Sequence, residues 1–195
     1  MLDTQADPSA TRGSWSTAAR RARERGDVGA LLDMLNSKDR KARLAAVANL
    51  GEHPDPRVPD RLSVCLRSKD ERLRIGALNA LADLADPSVV PEVYDLAIED
   101  ESFGVRVAAM NALGKLGDPR ASSLIASALH TDVPWPRWYR KWAAKKLVEF
   151  GGTSAIADLE HATRGAGPLG RWRLTRAIRA LQSQAANERR PPRET

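Results

Sequence analysis

Apolar and polar positions recur along this chain with a period of 31 to 34 residues. The block at residues 43–50 recurs at 74–81 and at 106–113, and weaker copies begin at Arg140 and Leu174. The starting residues of the five copies are therefore 31, 32, 34 and 34 positions apart. Inside a copy, apolar residues three and four positions apart fall on one side of a helix. Self-similarity at this period indicates an array of stacked helical repeats.

Each repeat predicts two helices joined by a turn. The first helix is short, whereas the second is longer and rich in Ala, so that neighbouring helices can approach closely. Asp39, Asp70 and Ser102 stand where the long helices need an N-cap. The predicted short helices are 59–67, 89–98, 121–129 and 154–162, and the predicted long helices are 39–50, 71–84, 102–116, 137–150 and 171–183.

Stacking follows from the repeat, because a two-helix unit cannot bury both of its apolar faces alone. We therefore expect an all-α fold, a right-handed α-solenoid of about five two-helix repeats that forms a single domain at 14–184. A short basic helix at 17–25 should cover the first repeat, and Trp15 should cover the apolar end of that repeat. Residues 1–13 and 185–195 are expected to be flexible tails. The expected repeat limits are about 27–54, 55–86, 87–118, 119–152 and 153–184.

The repeat motif resembles a known family. An Asp-x-x-x-Arg pattern precedes an Ala-rich helix that ends in Leu-Gly-Asp-Pro, and the stretch 105–119 shows the second part most clearly. This pattern is similar to HEAT repeats of the phycobilisome-lyase-like subtype, over about residues 27–183 and most strongly over 37–130. The resemblance implies the solenoid fold. It assigns no activity, because the motif is architectural.

Composition supports a helical protein with a basic end. Ala and Leu make up 53 residues and Val and Ile only 16, which favours helix over sheet. The net charge is +6, and residues 131–195 carry 13 basic and 6 acidic side chains, a net +7. This bias predicts either a polyanion or an acidic protein as partner of the C-terminal third, or simply a solvated surface.

Two series of polar residues recur with the repeat. Arg43, Arg74, Arg106 and Arg140 start the copies, and we expect them to pair with acidic groups of their own or the adjacent unit. They would then stabilise stacking rather than bind a ligand. A series of amide side chains is expected to make hydrogen bonds between repeats, and it consists of Asn49, Asn79 and Asn111.

Aromatic residues concentrate in the last two repeats, where four of the five Trp lie between 135 and 172. An Arg-Trp pair begins the long helix in both units, with corresponding residues 34 positions apart. Arg and Trp are typical of binding hot spots, whereas Trp at a terminal repeat can also be structural cover. The candidate partner-binding residues are Trp135, Arg137, Trp138, Tyr139, Lys141, Trp142, Lys145, Arg171, Trp172 and Arg176.

The sequence offers no recognisable catalytic constellation. Cys65 is the single cysteine and there are three histidines, so neither a disulfide framework nor a Cys- or His-built metal centre is expected. The pairs Glu52-His53 and Glu160-His161 are too few, and in reverse order, for the di-iron sites of HEAT-type hydroxylases. We predict no cofactor and no enzyme activity, and DNA glycosylase activity is not supported by any motif.

These observations predict a non-catalytic adaptor that binds a protein partner on the concave, Arg/Trp-rich C-terminal surface. The alternative is a nucleic-acid-binding protein, because Trp and Arg also suit stacking on bases and contact with phosphates. Apolar runs are too short to span a membrane, and no signal peptide opens the chain, so a cytoplasmic protein is expected. The sequence leaves the oligomeric state open.

Overall fold

A computed structural model describes residues 15–130, 137–150, 155–164 and 167–188. These residues form α-helices and one short 3₁₀ turn, Pro87–Val89, and they contain no β-strand, which confirms the predicted all-α fold. The helices within the described residues are α1 (Trp15–Glu24), α2 (Val28–Leu35), α3 (Arg40–Leu50), α4 (Val58–Leu66), α5 (Glu71–Leu84), α6 (Val90–Glu99), α7 (Phe103–Lys115), α8 (Arg120–His130), α9 (Arg137–Phe150), α10 (Ala155–Arg164) and α11 (Pro168–Glu188).

The chain divides between Ala112 and Leu113 into two compact units. In the first unit, α2 packs against α3 and α4 against α5, and the two long helices α3 and α5 also pack against each other. In the second unit, α8 packs against α9 and α10 against α11, and the long helices α9 and α11 are again in contact. Each unit therefore repeats one arrangement, a short helix and a long helix stacked on the next pair.

Leucine side chains fill the core between these helices. The long helices α3 and α5 contribute Leu50, Leu78 and Leu81, which are fully buried. In the second unit, Leu147 of α9 and Leu181 of α11 are buried in the same way. Within α5, Leu78 and Leu81 are three positions apart, which agrees with the single apolar stripe that the sequence pattern predicts.

Helix α1 covers the start of the first unit, as predicted from its position before the first repeat. It packs against α3 and α2. Trp15 Nε1 donates a hydrogen bond to Asp39 Oδ2 at 2.8 Å, and Arg23 forms an ion pair with Glu52 at 2.7 Å. The indole therefore lies at the N-terminus of α3, where Asp39 also accepts from the backbone N–H of Lys41 at 2.7 Å.

Two glycines allow α3 and α5 to lie close together. A Cβ on Gly51 would come within 2.8 Å of the Cα of Ala80, and one on Gly76 within 2.6 Å of Val47 Cγ1. Real Cβ atoms do not approach this closely. Close contact between the long helices therefore depends on having glycine, which has no side chain, at these two positions.

The repeated arginines bind backbone carbonyls at a constant register. Arg43 Nη1 donates to Ser37 O at 2.8 Å, Arg74 Nη1 to Ser68 O at 2.7 Å and Arg106 Nη1 to Asp100 O at 2.6 Å. Each acceptor lies six positions before its arginine, in the turn that precedes the long helix. The arginines thus hold the turn of their own repeat to its long helix.

Fewer of the repeated arginines pair with carboxylates than the sequence predicts. Arg74 binds Asp100 of the next repeat, and Arg40, three positions before the repeated arginine, binds Asp70. Arg43 and Arg106 bind main-chain carbonyls instead of the expected acidic groups, because the turn brings those carbonyls to the guanidinium. The side chain of Arg140 lies outside the described residues.

The predicted hydrogen bonding of asparagines between repeats is wrong for Asn49. Its Nδ2 donates to the carbonyl of Ala45 in the same helix at 2.8 Å, one turn earlier. Asn79 is exposed, and Asn111 Oδ1 is buried without a hydrogen-bond partner. The backbone of the helix itself satisfies Asn49, so that residue does not join repeats.

Candidate partner-binding surface

Helix α9 presents one basic and aromatic face to solvent. Trp138 is 54% exposed, Lys141 and Lys145 are exposed, and Trp142 is half-buried. These positions are spaced i, i+3, i+4 and i+7, which places them on one side of a helix. The structure therefore brings four of the predicted contact residues together on α9.

Tyr139 departs from the prediction, because its side chain is fully buried. Tyr139, Ala143 and Leu147 follow one another at four-residue spacing, and all three are in the core. Desolvation raises the pKa of the Tyr139 phenol well above its usual range. Tyr139 is therefore a core residue and is removed from the candidate contact surface.

The buried tyrosine contacts the two indoles beside it on α9. The Tyr139 ring lies 6.1 Å from the Trp138 ring in an edge-to-face arrangement with an interplanar angle of 77°. It lies 5.3 Å from the Trp142 ring at an angle of 32°. Aromatic pairs at these distances attract each other. Tyr139 therefore contacts Trp138, which is still 54% exposed.

An open groove of about 780 Å³ lies against helix α11. Its described lining comes from a single helix face, on which residues recur at i, i+1, i+4, i+5 and i+8 from Arg171. Trp172 in this groove is 58% exposed, and the guanidinium of Arg176 lies 5.8 Å from the centre of its ring. The described lining residues are Gly167, Pro168, Arg171, Trp172, Thr175, Arg176 and Arg179.

Sequence reasoning found three of the seven described lining residues and missed Gly167, Pro168, Thr175 and Arg179. Thr175 and Arg179 follow Arg171 by four and eight positions, so helical periodicity alone could have identified those two. Two predictions fall outside the described residues: Trp135 entirely, and the side chain of Arg137.

Positive charge dominates both helices. Together α9 and α11 contain nine Lys and Arg residues and two Glu, one in each helix. Lys146 forms an ion pair with Glu149 at 3.0 Å and lies 4.7 Å from the centre of the Phe150 ring, whereas Lys141 and Lys145 project outward. An acidic group that approaches this surface therefore meets a net positive potential.

Other candidate chemistry in the described residues is weak. These residues contain no group of three His, Cys, Asp or Glu placed to hold a metal ion. Cys65 is buried in the first unit, and desolvation raises the pKa of its thiol. No helix within the described ranges is long and apolar enough to cross a membrane.

Two solved structures are similar to this chain. One is the complex of CpcE and CpcF of phycocyanin lyase from Nostoc sp. PCC7120, with 22% identity and a TM-score of 0.62. The match covers 82% of this chain, which spans 66% of the length of that one. The other is an engineered protein with 20% identity and a TM-score of 0.53, covering 86% of this chain and 84% of that one. At these identities the likeness is one of fold.

The sequence itself carries the family assignment. No curated protein matches it. The family described as HEAT repeats matches residues 28–97 and 59–139, which together span more than half of the chain. The matched region begins with α2 and ends inside α9, so it contains the repeated arginines of the first unit. The chain therefore belongs to the HEAT-repeat family.

Proposed function

We propose that this chain is a non-catalytic adaptor that binds a protein partner through the exposed Arg/Trp face of α9 and α11. The observation that carries the proposal is the exposure of Trp138 and Trp172, each more than half accessible to solvent. Large aromatic side chains beside Arg and Lys are the composition of binding hot spots. Structural cover is the competing explanation, and exposure of more than half of each indole argues against it.

The alternative role in catalysis has little support from the groups at this surface. The described groove lining offers guanidinium, indole and hydroxyl groups, with no carboxylate, imidazole or thiol among the described lining residues. General acid–base catalysis most often uses His, Glu or Asp. The similar lyase structure is a complex of two subunits, which fits a role in protein association for this fold.

The proposal is tested by capturing partners from the native host with a tagged chain. Trp138→Ala and Trp172→Ala should each weaken capture of the same protein by about 30-fold or more, the loss expected of a hot-spot tryptophan. Their melting temperatures should stay close to that of the parent chain. Val64→Ala is the control, because Val64 is 70% exposed on α4 and lies outside the surface.

Two results would contradict the adaptor function. Unfolding of the second unit in both Trp variants would show that the indoles are structural cover. Binding of a single-stranded oligonucleotide, with affinity that falls steeply as salt rises, would instead favour the nucleic-acid alternative. Measurement at two salt concentrations distinguishes these results.

A further inference from the structure

Two residues of the groove on α11, Arg171 and Thr175, occupy the helix face that other long helices use to contact the next repeat. Trp172 and Arg176 correspond to Gly104 and Gly76, which contact the preceding long helix. Arg171 stands three positions before Leu174, the first residue of the fifth copy, just as Arg40 stands three positions before Arg43 in the first. Arg40 is the residue that reaches the next long helix. Its Nε lies 2.5 Å from Asp70 Oδ2 and its Nη2 lies 2.9 Å from Asp70 Oδ1.

Asp70 is the N-cap of α5, so the Arg40 contact joins α3 to the start of the following long helix. The side chain of Asp70 accepts from the backbone N–H of Arg72 at 3.1 Å while it binds Arg40. Hydrogen bonding to Arg40 lowers the pKa of the Asp70 carboxyl and keeps it charged. An arginine at this register therefore binds an N-cap carboxylate.

The second long helix supports the same assignment of faces. A methyl group on Gly104 of α7 would meet Glu71 Oε1 at 2.8 Å and lie 3.5 Å from Ile75 Cδ1 of α5. Glu71 and Ile75 are three positions before and one position after Arg74, the repeated arginine. The corresponding residues of α11 are Arg171 and Thr175, and both line the groove.

The first unit differs from this arrangement, because its first long helix, α3, is covered by α1. Helix α1 packs against α3 there, with Trp15 and Arg23 bonded to residues of the first repeat. On α11, Leu169 is 61% exposed and Trp172 is 58% exposed. Within the described part of the chain, Arg171 and Trp172 of α11 are therefore accessible to a partner, whereas Ile178 farther along the helix is buried.

We infer that this groove binds an acidic helix of the partner protein, in the position that a further long helix would take. A carboxylate at the N-cap of that helix would bind Arg171, as Asp70 binds Arg40. Acidic side chains one and two turns on would lie against Arg176 and Arg179, and an apolar side chain would pack on Trp172. The inference rests on the proposed function and specifies which element of the partner is recognised.

Spacing and charge both favour a helix as the bound element. Arg171, Thr175 and Arg179 form a row with four-residue steps, about 6 Å each at 1.5 Å per residue. Side chains four apart on a second helix recur at the same interval, so the two rows can stay in register. The three arginines of the groove provide the charge that acidic side chains would neutralise.

The test uses a fluorescein-labelled, hydrocarbon-stapled peptide that begins with an N-cap Asp and carries Glu at every fourth position beside a Leu stripe. Fluorescence anisotropy measures its binding to the full chain. A second peptide replaces Asp and Glu by Asn and Gln, and a third replaces the staple by a central Pro. The protein variants are Arg171→Gln and, as the matched control, Arg173→Gln, because Arg173 is exposed on the same helix outside the groove.

The acidic stapled peptide should bind, and both altered peptides should bind at least about 10-fold more weakly. Arg171→Gln should weaken binding of the acidic peptide by about 10-fold or more, whereas Arg173→Gln should change it by less than twofold. Equal binding of the Pro peptide, or equal effects of the two arginine variants, would overturn the inference. So would self-association of the chain that Arg171→Gln abolishes and the peptide does not inhibit, since the groove would then bind a second copy.

Failure of this inference is distinguishable from failure of the proposed function. Partner capture that depends on Trp138 but is unaffected by Arg171→Gln leaves the adaptor function standing and removes the acidic helix. If the peptide binds in a manner that depends on Arg171 but no partner is captured through either tryptophan, the groove binds an acidic helix and the adaptor function fails.

Discussion

Replacement of Arg74 tests how the repeats of the first unit are held together. Arg74 is 6% exposed and makes three contacts of 2.9 Å or less, and its Nη2 also lies 4.0 Å from Glu101 Oε1. Its Nη1 donates to Ser68 O at 2.7 Å, while its Nε and Nη2 each lie 2.9 Å from an oxygen of Asp100. Asp100 is equally buried and also accepts from the backbone N–H of Ser102 at 2.8 Å. One guanidinium therefore joins the turn of its own repeat to the turn of the next.

The expected cost of Arg74→Ala follows from what remains buried afterwards. Removing one partner of a buried ion pair leaves an uncompensated charge, which costs about 3–5 kcal/mol. Arg106 provides the comparison, because it binds two main-chain carbonyls from the same type of turn and is half-buried. Loss of hydrogen bonds between a charged group and carbonyls costs about 1–3 kcal/mol. Arg74→Ala should therefore destabilise the chain by roughly 2 kcal/mol more than Arg106→Ala.

Urea denaturation followed by circular dichroism at 222 nm measures both variants. A double-mutant cycle of Arg74→Ala with Asp100→Ala should give a coupling energy of about 1 kcal/mol or more, because the second change removes the orphaned carboxylate. The reasoning is refuted if the two arginine variants lose equal stability, or if the cycle shows no coupling. In either case the carbonyl contacts alone would account for the repeated arginine.

Two further predictions concern the same unit. The hydrogen bond with Arg40 lowers the pKa of Asp70, so the stability that this carboxylate contributes is present above its unfolded pKa of about 4 and is lost as pH falls below it. Asp70→Asn should therefore reduce the loss of stability with falling pH, measured by urea titrations at pH 3 to 6. An unchanged pH dependence would contradict the assignment. Gly51→Ala should lower the urea midpoint, because its Cβ would meet the backbone of Ala80 rather than a movable side chain; a raised midpoint would show that α3 and α5 can separate without cost.

The repeat period is the part of the sequence that predicted the fold best. Its apolar stripe depends only on the helical spacing of Ala and Leu, which is local, and the N-caps Asp39 and Asp70 depend on neighbouring backbone groups. The structure confirms both. The partners of the repeated arginines were less predictable, because a guanidinium can bind carboxylates or carbonyls and the choice depends on the geometry of a turn.

The candidate surface shows a different limit. Trp138 and Tyr139 are adjacent in sequence, and successive helical residues point about 100° apart, so composition could not tell which faced solvent. The four-residue spacing of Tyr139, Ala143 and Leu147 indicates that Tyr139 is buried, because the other two residues belong to the buried apolar stripe. Weighing aromatic content above periodicity placed Tyr139 on the surface.

One register position can serve stability or binding, and what distinguishes the two is the helix that faces it. Arg40 forms an ion pair with Asp70, the N-cap of α5, so its guanidinium stabilises the stacking of repeats within the chain. Arg171 has the same register on α11 and opens into a groove beside an exposed indole. The register that accounts for stacking in the first unit is therefore the reason we propose that Arg171 of α11 binds a helix of a partner.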